Sequence, residues 1–106
     1  MFIRVGISTF LLTLGMAYAA GNATAGKADY DRACKSCHGA TGTANPAIAK
    51  AMKVEIKDLG SSDVQSMSDA EIEKIITGGE GKMPAVKSVT GKQVDDVVAY
   101  VRTLKK

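Results

Sequence analysis

Large aromatic side chains are nearly absent from this sequence of 106 residues, which has no tryptophan. Its two phenylalanines, Phe2 and Phe10, both lie in the first ten residues, and it has two cysteines, two prolines and one histidine. A small chain with so few large apolar residues has a thin stability margin unless a disulfide, metal or cofactor adds to its core. A disulfide between cysteines three residues apart would close a small loop and stabilise little. The composition therefore predicts a large apolar cofactor.

Long runs of one charge are also missing. Fourteen basic and eleven acidic residues give a formal net charge of +3, and the two signs are mixed along the chain. No basic run could follow a phosphate backbone, so the sequence is not that of a nucleic-acid-binding protein. The length allows one globular domain.

The first twenty residues differ in composition from the rest. Arg4 precedes an apolar run of twelve residues, which small residues follow up to Ala20. This pattern predicts a secretory signal peptide over residues 1–19, with cleavage near 19/20, and a mature domain over residues 20–106. The alternative is a retained membrane anchor, for which the run is short of the roughly 20 residues needed. The mature protein is expected to be soluble, exported and without stable membrane insertion, in a compartment that permits disulfides.

The rest of the chain predicts helices and no convincing strand. Asn22 or Thr24 is the expected N-cap of a first helix that runs into the cysteine-containing stretch. A short second helix follows Asn45, with Pro46 at the first helical position, where its missing N–H costs nothing.

Two further helices have stronger signals. Ser68 and Glu71 form a predicted capping box, and Thr90 with Gln93 forms a second one before an amphipathic C-terminal helix. Residues 53–66 fit either a loop edge or a short helix.

Cys34, Cys37 and His38 lie within five consecutive positions. On a helix, residues three and four apart share a face, so all three side chains can point the same way. A zinc site would normally need four ligands, and the chain has no further cysteine or histidine. A redox C-x-x-C normally lies in a βαβ unit, and a plain disulfide or a chance spacing is a further alternative. C-x-x-C-H is the attachment signature of c-type haem, with two thioethers and an imidazole ligand.

A haem iron then needs a sixth ligand or an open position. Met83 lies in the glycine-rich segment "GEGKMPAV", before Pro84 and 45 residues after His38, which is enough chain to reach the iron from its other side. Met52 and Met67 lie in helical contexts where packing is the commoner role. The alternative is a five-coordinate iron, with Met83 packing against the haem edge.

With these residues the sequence resembles the class I c-type cytochromes, in particular the small bacterial monohaem type of the c551, c553 and c6 kind. The motifs "CKSCHG", "KMPAV" and "VAYVRTL" carry the resemblance over essentially all of residues 20–106. It implies an all-α fold of about four helices around one covalently bound haem c, with the N-terminal and C-terminal helices crossing.

The resemblance also implies roles for individual residues. Cys34 and Cys37 would hold the haem covalently, and His38 and Met83 would be the axial ligands. The carbonyl of Pro46 is the candidate acceptor for the proton-bearing nitrogen of His38. In addition, a glycine and an aromatic residue of the first helix meet an aromatic residue of the last, a pattern that Gly26, Tyr30 and Tyr100 match.

The expected function is that of a periplasmic electron carrier rather than an enzyme. A monomer would pass single electrons between larger redox proteins, a donor and an acceptor. Lysines near the haem could form a basic docking rim or could be ordinary solvated side chains (Lys35, Lys50, Lys53, Lys57, Lys82 and Lys87). The alternatives are a five-coordinate haem enzyme or gas-binding protein, a small haem subunit of a larger oxidoreductase complex, and a haem-free domain with a Cys34–Cys37 disulfide. The sequence assigns no partners to the haem propionates.

Overall fold

The structure is a computed structural model that describes residues 21–106, so the predicted signal peptide over residues 1–19 lies outside the described residues. The described chain contains six helices and no strand, which confirms the expected all-α fold. Within it, no helix has the length and apolar character to cross a membrane. The helices are α1 Ala23–Ala33, α2 Lys35–His38, α3 Pro46–Met52, α4 Ser62–Gln65, α5 Asp69–Gly78 and α6 Lys92–Thr103.

Three helices begin where their capping residues predict. Asn22 caps α1 by accepting two backbone N–H bonds. Asn45 caps α3, and Pro46 occupies its first position. Ser68 and Glu71 form the reciprocal capping box of α5, in which each side chain accepts the other residue's backbone N–H. The first residue of each of these helices is therefore set by hydrogen bonds between residues that are close in sequence.

Two predicted boundaries are wrong. The first helix does not run through the cysteines: Cys34 has φ −122°, which ends α1, and α2 begins at the next residue. The last helix is capped by Gly91 (φ 56°) instead of Thr90. Gln93 still accepts the Thr90 N–H at 3.2 Å, so half of that capping box forms one residue before the helix starts.

Residues 53–66 contain a loop followed by α4. The Arg102 side chain of α6 anchors the following segment by donating to the carbonyls of Gln65 and Met67 at 2.9 and 2.6 Å. It also forms an ion pair with Asp69 at 2.7 Å. The connection between α4 and α5 is therefore held against the C-terminal helix.

The main packing contact of the fold is the crossing of α1 and α6. At the crossing a Cβ on Gly26 would lie 1.8 Å from the carbonyl oxygen of Asp96, so only glycine lets the two backbones come this close. One turn further along α1, the ring of Tyr30 packs on that of Tyr100, with ring centroids 5.0 Å apart. The predicted contacts of Gly26 and Tyr30 with the last helix, which contains Tyr100, are confirmed.

The buried core is aliphatic and lies between α4, α5 and α6. Tyr30 is the single buried aromatic side chain of the described residues. The other buried hydrophobic residues are Val64, Ile72, Ile76, Val89, Val94, Val97, Val98 and Val101.

Asp96 is a buried carboxylate that ties the start of α1 to α6. The backbone N–H of Asn22 donates to its Oδ1 at 2.7 Å, and Lys92 Nζ lies 3.0 Å from the same oxygen. The hydrogen bond from Asn22, followed by that from Lys92, holds the pKa of Asp96 below its ordinary value of 3.8. Its charged form is thus favoured in the folded protein.

We expect Asp96 to contribute to stability at neutral pH and not in strong acid. Because its folded pKa is depressed, the contribution is present above the unfolded value of 3.8 and is lost as the pH falls through the folded pKa. The difference in unfolding temperature between the parent and Asp96→Asn should therefore narrow below about pH 4. Thermal melts from pH 7 to pH 2 measure it. The control is Asp63→Asn, since Asp63 is exposed with its partner Lys57 4.0 Å away; an equal narrowing in that variant would contradict the assignment.

Candidate functional site

A cavity of about 510 Å³ lies beside the core and opens to solvent. That volume is within the range of roughly 300–1,000 Å³ typical of small-molecule and cofactor sites. Its lining is mostly apolar, and six of the nine buried hydrophobic residues form part of it, so the cavity and the core share their walls. Those six are Tyr30, Val64, Ile72, Ile76, Val97 and Val101.

Four side chains singled out in the sequence line this one cavity: Cys34, Cys37, His38 and Met83. The first three come from the junction of α1 and α2, and Met83 comes from the segment between α5 and α6. The fold therefore brings a thioether to a cavity that also holds two thiols and an imidazole.

The α1–α2 junction is built by backbone bonds within the motif. The carbonyl of Cys34 accepts the N–H groups of Cys37 and His38 at 3.3 and 3.0 Å, which makes α2 a single turn. The backbone N–H of Asn45 donates to the Cys37 carbonyl at 3.0 Å, so the start of α3 holds the end of α2. Both cysteines are free thiols and partly buried.

Burial sets the protonation of these groups. It lowers the pKa of His38, which favours the neutral imidazole, the form that binds metals. It raises the pKa of the Cys34 thiol to about 11, so this thiol stays protonated at neutral pH.

Tyr30 connects the helix crossing to the residue after His38. Its hydroxyl donates to the carbonyl of Gly39 at 2.6 Å, and its side chain is fully buried. Burial raises the pKa of Tyr30, so the hydroxyl keeps the proton that it donates. The sequence pointed to Tyr30 as a packing residue and gave no sign of this hydrogen bond, because the acceptor is a backbone atom nine positions away.

The bond from His38 to the Pro46 carbonyl stays a prediction. Among residues 21–106, His38 Nδ1 is buried without a hydrogen-bond partner, and Pro46 is exposed at the start of α3.

Met83 is presented by a tight turn. The N–H of Glu80 donates to the carbonyl of Met83 at 3.0 Å, and the N–H of Met83 donates back to the carbonyl of Glu80 at 2.9 Å. Gly81 lies between them with φ 55°, a left-handed conformation that glycine adopts without strain. A further bond of 2.8 Å from the Val86 N–H to the Ile76 carbonyl ties the segment after the turn to α5.

The loop after α3 supplies cavity residues that the sequence did not assign. Val54 and Ile56 line the cavity together with their polar neighbours Glu55 and Lys57. The alternation of apolar and polar residues was the one signal available for them. Met52 and Met67 also line the cavity, so three methionines face the same space.

The residues present fit a covalently attached haem. The lining is apolar, two free thiols flank a neutral imidazole, and a thioether comes from a second element. Among residues 21–106, His38 Nδ1 makes no hydrogen bond, and a neutral imidazole can bind a metal through either ring nitrogen. In residues 21–106, no three histidine, cysteine or acidic side chains cluster as a metal site would require, which disfavours zinc.

Comparisons with known proteins agree with this geometry. The family model described as "Cytochrome C oxidase, cbb3-type, subunit III" matches residues 21–101. Three chains of solved structures match. One is the KustC0563 c-type cytochrome, with 26% sequence identity and a TM-score of 0.65, and the match covers 76% of this chain and 98% of that one. No curated protein gives a match of similar significance.

Proposed function

Because the chain belongs to the family of cytochrome c oxidase, cbb3-type, subunit III, and so is a c-type cytochrome domain, we propose that it is a periplasmic monohaem electron carrier. Family membership implies covalently bound haem c, and the single C-x-x-C-H motif, with the chain's one histidine, favours a single haem. The signal-peptide pattern of residues 1–19 supports export. The carrier is a monomer that exchanges single electrons with a larger donor and a larger acceptor.

One observation carries this proposal. Side chains as far apart in sequence as Cys34 and Met83 line a single apolar cavity, and they are the set that haem attachment and ligation need. Cys34 and Cys37 would form the thioethers, and His38 and Met83 would be the iron ligands. The bound haem supplies a one-electron iron couple, whose potential Met/His ligation raises.

The protein's own residues shape the site and position its ligands. The mostly apolar walls would shield a bound haem from much of the solvent, and the α2 turn and the Glu80–Met83 turn hold His38 and Met83 through backbone bonds. With both His38 and Met83 as ligands, the iron would have no position open for a substrate, which favours electron transfer over catalysis. Two of the six lysines in the expected docking rim, Lys57 and Lys82, line the cavity.

A second candidate function is that of a haem subunit within a larger oxidoreductase complex. The description of the matching family, which names an oxidase subunit, favours it. Both functions use the same site and differ in whether the donor and acceptor are free partners or fixed neighbours. Purification of the exported protein under native conditions separates them by size.

The sharpest test of the site removes the Met83 side chain. We expect reduced Met83→Ala to bind carbon monoxide about 100-fold more tightly than the parent, because the parent's sixth position would be open about 1% of the time or less. Titration followed by the visible spectrum measures the change.

Met52→Ala is the matched control, since it removes the same side chain from the same cavity. It should bind carbon monoxide like the parent. Equal binding by Met83→Ala and the parent would refute the ligand assignment and favour a five-coordinate haem. Absence of any haem spectrum in the matured parent would refute the cytochrome function altogether.

A further inference from the structure

Lys82, the residue before Met83, reaches across to a different part of the cavity lining. Its Nζ donates to the backbone carbonyl of Met52 at 2.7 Å, over a sequence separation of 30 residues. Both residues line the cavity, and Lys82 is exposed, so the bond lies at the solvent edge of the site.

The acceptor in this bond is a carbonyl with no partner inside its own helix. Met52 is the last residue of α3, and the last four carbonyls of a helix lack intrahelical donors. The chain leaves α3 through Lys53 in a left-handed conformation (φ 54°), whose N–H turns back to Ala49 and Lys50 instead. A cation at this end of a helix is also favoured by the helix dipole.

The Met83 turn has few other anchors. Its reciprocal Glu80–Met83 bonds are internal to the turn, and the Val86–Ile76 bond ties the following segment to α5. Among the hydrogen bonds of the described residues, the Lys82–Met52 bond is the one that joins the turn to the α3 side of the cavity.

We propose that Lys82 is a positioning residue that latches the Met83 turn to the end of α3 and so keeps the Met83 thioether in the haem cavity. The proposal rests on the function proposed above, in which Met83 binds the iron. The latch opposes local opening of the turn, which an exogenous ligand requires before it can reach the iron.

The test is the rate at which imidazole binds to the oxidised, haem-loaded protein. Lys82→Gln should raise this rate about three- to tenfold, the effect of losing one charge-assisted hydrogen bond at an exposed site. Lys57→Gln is the matched control, because it removes the same charge from another exposed lysine of the cavity lining that is 4.0 Å from its acidic partner. It should leave the rate unchanged.

The possible results separate the alternatives. Equal rates of imidazole binding to Lys82→Gln and Lys57→Gln would overturn the latch. Any change relative to the parent would then come from the loss of a positive charge. A lysine that only capped α3 would lower the unfolding temperature when replaced and leave the imidazole rate unchanged, which would also overturn it. Met83→Ala provides the reference: if it binds imidazole faster than the parent while Lys82→Gln does not, the latch alone fails. If Met83→Ala matches the parent, the proposed function fails.

Discussion

Replacing Gly26 with alanine is expected to destabilise the protein by about 3 kcal/mol or more, because the new methyl group has no space. Its Cβ would lie 1.8 Å from the Asp96 carbonyl oxygen and 2.4 Å from the carbonyl carbon. These are backbone atoms of α6, so no side-chain rotation can relieve the overlap. The two helices must move apart, and the contact between Tyr30 and Tyr100 loosens with them.

Gly78→Ala is the control for this substitution. Gly78 is also helical and is exposed, and no atom of residues 21–106 lies within 4 Å of the position that its Cβ would take. Since alanine favours a helix by roughly 0.5–1 kcal/mol over glycine, this variant should be neutral or slightly stabilised. Chemical denaturation of the two haem-loaded variants measures their free energies of unfolding. If the crossing is as close as described, this free energy falls relative to the parent in Gly26→Ala and does not fall in Gly78→Ala. A Gly26→Ala protein as stable as Gly78→Ala would contradict the packing.

Leaving out the haem is expected to remove cooperative folding. Six of the nine buried hydrophobic side chains line the cavity, so without its occupant most of the core has an open side. Because the cavity opens to solvent, water would enter it when the haem is absent, and the apolar lining would lose the burial that stabilises the core. The whole free energy of unfolding of a domain of this size is roughly 4–13 kcal/mol.

The measurement compares thermal melts of residues 21–106 made without haem attachment with melts of the mature protein. The melts are monitored by the circular dichroism of the helices. The mature protein should unfold in one sharp transition, and the haem-free chain should show a broad slope with no midpoint. A sharp transition in the haem-free chain would mean that the aliphatic core is sufficient, and would contradict the view that the cofactor completes it.

The helix starts could be predicted because their causes are local. Asn22, Asn45 and the Ser68–Glu71 pair each bond to N–H groups within three residues, so the sequence contains both partners side by side. The thiols, the imidazole and the Met83 thioether could be chosen by chemical type. Whether these side chains line one cavity depends on the fold, which the sequence indicated only through its resemblance to class I c-type cytochromes.

The features that the sequence did not predict depend on distant partners. Nothing near Cys34 is a helix breaker, yet the chain turns there so that α2 can face the cavity. The bonds from Tyr30 to Gly39 and from Lys82 to Met52 end on backbone carbonyls, which every residue possesses, so no residue pattern marks the acceptor. Pro46 was proposed as the partner of His38 because it is the one proline on that side of the chain, and this pairing stays a prediction.

The hydrogen bond between Asn22 and Asp96 affects the order in which the chain can fold and acquire its cofactor. The two residues are 74 positions apart, and closing a loop of that length costs roughly 4 kcal/mol of chain entropy before any contact repays it. Because a chain emerges from its amino terminus, Cys34, Cys37 and His38 are made well before the helix that locks α1 in place. During that interval the thiols are accessible on an unlocked chain, so attachment of the cofactor can precede closure of the fold.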